Sequence, residues 1–80
     1  MKLLRKRPQP HAYRAKAASR MATLPTGDVL DWADAYAAEV WKGLEDYRKG
    51  VPVALDEIER GLQCLLGIVD DLRRRDESDK

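Results

Sequence analysis

Apolar positions recur every three or four residues over two long stretches of this chain. Leu55, Ile58, Leu62, Leu65, Val69 and Leu72 fall along one line of a helix. Upstream, Leu30, Ala33, Ala37, Val40, Leu44 and Tyr47 repeat the spacing with smaller residues in the middle. The residues around these stretches punctuate them. In Leu24-Pro25-Thr26-Gly27-Asp28, Thr26 or Asp28 offers an oxygen to a first-turn N–H, and Asp28, Asp31 and Asp34 suit the positive end of a helix dipole. Arg48 and Lys49 close the stretch, Gly50 provides a left-handed stop and Pro52 blocks continuation. The pattern predicts one helix over about 28–49 and a second over about 53–75, ending in Arg73-Arg74-Arg75.

Folding the chain back at Gly50 to Pro52 sets Tyr47 against Leu55, Leu44 against Ile58, Val40 against Leu62, Ala37 against Leu65, Ala33 against Val69 and Leu30 against Leu72. The residue numbers of every pair share one sum, as antiparallel packing requires, and alanine facing leucine or valine lets the layers interdigitate. The expected fold is all-α, a two-helix antiparallel hairpin. A short third helix is expected near 11–24, where Tyr13, Ala17, Met21 and Leu24 recur at helical spacing, but only if something is there to pack against.

The seam leaves apolar surface over. Trp32, Tyr36 and Trp41 flank it on the first long helix, and Gly61, Cys64, Leu66 and Ile68 flank it on the second. So wide an apolar arc calls for two neighbours. The hairpin is therefore expected to pair as a homodimer closing a four-helix bundle, or to dock on a larger protein, through an interface of Trp32, Tyr36, Trp41, Cys64, Leu66 and Ile68. Alternatively, the 11–24 segment folds back over the flank.

Charge adds a second feature. Lys2, Arg5, Lys6, Arg7, Arg14, Lys16 and Arg20 stand in residues 1–20 without an acid, whereas the other eight basic residues face all 14 acids in residues 21–80. The net charge of +1 thus hides a segment of +7 and one of −6. Clustered charge with Pro8 and Pro10 suggests a basic flexible arm over 1–20, ahead of an acidic helical hairpin over 21–80. Such an arm suits an acidic protein surface or the phosphates of a nucleic acid, with Tyr13 available to stack on a base. Met21 is a second candidate start of the chain.

At 80 residues the chain can bury only a thin core, and a single cysteine offers neither a disulfide nor a cysteine-based zinc site. No apolar run is long enough to span a bilayer, and no hydrophobic core follows the basic start, so a cytoplasmic setting is expected. Catalytic, metal and cofactor residues are not expected. His11 is the one histidine, the few hydroxyls lie mostly outside the helices, and the glycines fit no phosphate loop. They read as capping, close-packing and turn glycines. Asp31, Asp34, Glu45, Asp46, Asp56, Glu59, Asp70 and Asp71 point away from the seam and are expected to form a solvated face. Cys64 reads as a small apolar filler, with a reactive thiol as the other reading.

The segments Asp28-Val-Leu-Asp-Trp-Ala-Asp, Asp46-Tyr-Arg-Lys, Ala54-Leu-Asp-Glu-Ile-Glu-Arg-Gly and Val69-Asp-Asp-Leu-Arg-Arg-Arg lie within a stretch, 28–75, that resembles small uncharacterised helical-hairpin proteins of high-GC actinobacteria and their phages. The resemblance leaves out the arm. It implies a bacterial or phage setting and carries no activity, ligand or site residue with it. The expected role is a non-catalytic interaction, assembly or adaptor module that uses the hairpin's apolar aromatic flank while the arm binds an acidic surface. The alternative is a dimeric nucleic-acid-binding accessory factor.

Overall fold

A computed structural model describes residues 10–78, and within them the chain forms α1 (Pro10–Met21), α2 (Thr26–Arg48) and α3 (Leu55–Ser78), with no strand. The two long helices are those expected, shifted by two or three residues at most of their ends. The stretch 1–20 expected as a flexible arm is helical from Pro10 onward, and Lys2, Arg5, Lys6 and Arg7 lie outside the described residues.

Local chemistry explains the ends. Proline at the first position of α1 presets the helical φ and gives up an N–H that would have no partner there. Between α1 and α2 the chain turns through Leu24, whose N–H donates to the Met21 carbonyl at 2.9 Å, and extended Pro25 then precedes the first turn of α2. No side chain caps α2, so the expected N-cap role of Thr26 or Asp28 is not found. The Thr26 hydroxyl instead accepts from Arg75 Nη1 at 2.9 Å. At the other end Gly50 takes φ +83° as expected. The Val51 N–H reaches the Asp46 carbonyl at 2.9 Å and the Gly50 N–H reaches that of Tyr47 at 3.1 Å, a paired closure that needs a left-handed residue at this point.

The packing departs from the expected two-helix hairpin. α3 is the central element, and α1 packs along it more extensively than α2 does, while α1 and α2 touch each other little. The 11–24 segment is thus a full member of the fold. Met21, Val29 and Ile68, one from each helix, form the core, with Leu24, Ala33, Tyr36 and Leu72 packed around them. Withdrawing each of these three side chains from water contributes roughly 1.5–3 kcal/mol, a thin core for a small chain.

α2 and α3 run antiparallel, but their expected seam is not the one that closes. Of its twelve residues only Val40 and Ile58 are buried, while Leu62 is 45% exposed and Leu55 and Val69 are exposed as well. The buried line on α3 runs through Ile58, Gly61, Cys64, Gly67, Ile68 and Asp71, largely one position before the expected one. Glycine is the physical reason. A Cβ at Gly61 would stand 2.8 Å from Val40 Cγ2, and one at Gly43 would stand 2.9 Å from Ile58 Cγ1, so each helix offers bare backbone to a branched side chain of the other. These pairs share a sum one lower than the expected pairs. The axial register was therefore read to within a residue, while α3 is turned by about 100°, one residue of an α-helix.

Candidate functional site

The turn of α3 gives the α2–α3 pair two different sides. On one, α1 lies against α3 in the same direction, Tyr13 near Arg60, Ala17 at Gly67 and Met21 near Arg75. The approach is closest at Gly67, where a Cβ would fall within contact distance of the Arg14 carbonyl oxygen and lie 2.9 Å from Ala17 Cβ. Only a glycine lets the two backbones come so near.

Polar contacts fasten this side at both ends. Arg14 of α1 grips Asp70 of α3 with Nε and Nη2 at 2.6 and 2.8 Å. This two-pronged bond holds the Asp70 carboxyl below its ordinary range and raises the Arg14 guanidinium. At the far end Asp71 is 1% exposed. Burial there pushes its carboxyl pKa upward, but hydrogen bonds from Arg74 Nη2 at 2.5 Å and Arg75 Nε at 2.7 Å outweigh it and leave the group below the usual value. Arg75, oriented by Asp71, donates through Nη2 to the Met21 and Leu24 carbonyls at 2.7 and 2.6 Å. It thereby satisfies oxygens that the end of α1 leaves without helical partners. Asp71 is thus not part of the expected solvated face, while Asp70, with 35% of its side chain exposed, keeps contact with water as well as with Arg14.

Residues expected at an interface are divided by this arrangement. Cys64 and Ile68 are buried, Ile68 to 1% exposure. Tyr36 is half-buried on the α1 side, where burial and the neighbouring Cys64 thiol raise its pKa. Trp32 tilts against it, ring centroids 5.9 Å apart, and is itself partly exposed. Trp41, 67% exposed, and Leu66 point outward. Of the basic residues on α1, Arg14 is committed to Asp70, while Lys16 and Arg20 stand exposed.

The other side of the α2–α3 pair has no helix against it among the described residues. Successive residues turn by about 100°, so Leu30, Ala37, Trp41 and Leu44 share an arc of about 60° on α2, as do Leu55, Leu62, Leu66 and Val69 on α3. All eight are exposed. On α2 this arc lies across Val40 from Tyr36 and Trp32, and on α3 it lies across Ile58 and Leu65 from Gly67 and Asp71. Both arcs therefore look away from α1 and adjoin each other along the pair. Sequence reasoning missed Leu30, Leu44, Leu55, Leu62 and Val69 as surface residues because it assigned them to the internal seam. The glycines at 43, 61 and 67 were the signal that a different line is buried.

At the Leu30 end of this face an open groove of about 430 Å³ is lined by Thr26, Val69, Leu72, Arg73, Arg75 and Asp76. Its Arg75 is already bonded to Asp71, Thr26 and two carbonyls. Among the described residues no three His, Cys, Asp or Glu side chains gather as a metal ion would require. No helix there is long and apolar enough to cross a membrane. No family model matches the chain, and neither does any curated protein or solved structure.

Proposed function

We propose that this protein is a non-catalytic interaction or assembly module whose working surface is the open side of α2 and α3. One observation carries the reading. Eight apolar side chains lie contiguous and exposed on two antiparallel helices while the opposite side is closed by α1. Small proteins that leave so long a stripe uncovered generally dock something on it. In the bacterial or phage setting implied by the resemblance, the basic N-terminal residues would reach an acidic surface on the same assembly.

The test is an apolar dye together with solution mass, comparing the native chain with the double variant Leu44→Glu, Leu62→Glu. The open side predicts either association that the variant loses, or a monomer whose dye fluorescence the variant loses, with helicity kept in both cases. A native chain that is monomeric and binds no more dye than the variant would remove the basis of this reading. The alternative, phosphate contact through the basic residues, draws on the exposed Lys16 and Arg20, with Arg14 already occupied. It predicts binding that falls steeply with salt and is indifferent to the double variant.

A further inference from the structure

Resting on that reading, we infer that the occupant of the open side is a second copy of this chain, docked so that α2 of each copy lies antiparallel to α3 of the other. Three observations meet here. The first is register. Leu44 and Leu55 lie near one end of the face, Trp41 and Leu62 follow, then Ala37 and Leu66, with Leu30 and Val69 near the other end. A two-fold axis running along the helices, between the copies, keeps each of these levels together while exchanging the helices. It sets Leu44 of one copy on Leu55 of the other, Trp41 on Leu62, Ala37 on Leu66 and Leu30 on Val69. Apolar residues then meet at every level between the chains, and the small Ala37 receives the larger Leu66. An isologous contact of this kind demands a surface complementary to itself.

Charge is the second observation. At the fringe of the face, Arg48 of α2 and Glu59 of α3 stand towards one end, and Asp34 of α2 and Arg73 of α3 towards the other. All four are exposed. Exchanging α2 for α3 across the axis brings Arg48 towards Glu59 and Asp34 towards Arg73, opposite signs at both ends. Placing α2 against α2 would likewise bring Arg48 towards Asp34 and Glu59 towards Arg73, so the charges mark the face as complementary to itself, and swapping Asp34 with Arg73 separates the two helix pairings.

The third is area. Most of the eight side chains keep about half of their surface in water, Trp41 more. Together they offer several hundred Å², at least the size of an ordinary monomer's largest patch of ~300–600 Å² and approaching the ~800 Å² per partner of a standard interface. Closing the face this way yields a central four-helix bundle of two α2–α3 pairs, with an α1 on each outer side.

Sedimentation equilibrium and light scattering on the full chain should give twice the 9.1 kDa of one copy at micromolar concentrations. Leu62→Glu should weaken association at least about 30-fold with helicity kept, the scale of losing one central anchor. Asp34→Arg should weaken it by about fivefold, and Arg73→Asp added to it should restore most of that loss, because a swapped pair recovers its attraction. A monomer at 100-fold higher concentration would overturn the inference. If that monomer still binds the apolar dye on its open side, the interaction reading stands and a different protein is the occupant. A dimer that survives Leu44→Glu with Leu62→Glu would also overturn it, as would a charge swap that restores nothing.

Discussion

The two sides of the α2–α3 pair contrast in how they are held. Towards α1, contact is made by backbone at Gly67, by the Arg14–Asp70 bond and by Arg75 reaching across to the Met21 and Leu24 carbonyls. Away from α1, leucines, a valine and a tryptophan stand in water. The exposed side offers apolar surface without polar anchors, whereas the closed side joins the Met21, Val29 and Ile68 core to close glycine contacts and charge-assisted bonds. Hydrophobic burial scales with area but carries no direction, whereas close backbone approach and charge-assisted hydrogen bonds depend on particular atoms. In this chain the specific contacts organise the single copy, and the generic apolar surface of α2 and α3 is left exposed.

The largest predicted effect attacks the closed side at its tightest point. Gly67→Ala puts a methyl group against the Arg14 carbonyl, which cannot move without α1, and should destabilise the chain by about 2–3 kcal/mol despite a helix-propensity gain of about 1 kcal/mol. Urea unfolding followed by circular dichroism measures it. Asp71→Asn comes next. It removes the charge that holds Arg75 and Arg74 and should cost about 2 kcal/mol, less than a fully buried pair because both guanidinium groups keep a route to water. The same melts should detect it, together with faster hydrogen exchange in α1.

Acid should act on the same contacts. Asp70 and Asp71 have lowered pKa values in the fold, so their contribution is complete above the unfolded value near 3.9 and is lost as pH falls through the folded values below it. Stability should therefore be flat with respect to these groups above about pH 5 and decline below about 4, and Asp71→Asn should flatten that decline. A profile of unfolding midpoint against pH checks both statements.

How far the sequence discloses this contrast can be judged from particular residues. The antiparallel direction, the closure at Gly50 and the level of each α2 residue against α3 followed from spacing and turn chemistry, because those signals are local. The rotation of α3 did not. Six branched aliphatics on one line outweigh Gly61, Cys64 and Gly67 in any reading of hydrophobicity, although the small residues mark where helices approach. Asp71 resembled its exposed neighbours because a buried carboxylate and a solvated one differ only in what surrounds them. The importance of α1 was concealed by its length, since a twelve-residue helix has little stability of its own and owes its place to α3. For the surface, Trp41 and Leu66 were singled out as flanking residues and are exposed, while the remainder of the open arc was hidden inside the expected seam.

The open side should respond weakly where the closed side responds strongly. At dilutions that leave single copies, Trp41→Ala should shift unfolding by less than about 0.5 kcal/mol, because most of the ring is already in water, and its effect should grow with protein concentration if association is linked to folding. Smallest of all, Gly27→Ala places a methyl group in open space in the first turn of α2 and should stabilise by a few tenths of a kcal/mol, at most about 1, in contrast to the same change at Gly67.

Within one chain, α3 turns its glycine line inward and its leucine line outward. Nuclear Overhauser spectroscopy on mixed labelled and unlabelled protein reads it directly by separating contacts within a chain from those between chains. The account predicts strong intrachain cross-peaks from the Gly67 α-protons to the Ala17 methyl and from the Gly61 α-protons to the Val40 methyls. Absence of those peaks, with intrachain contacts of Leu62 to Val40 and Leu65 to Ala37 in their place, would contradict it.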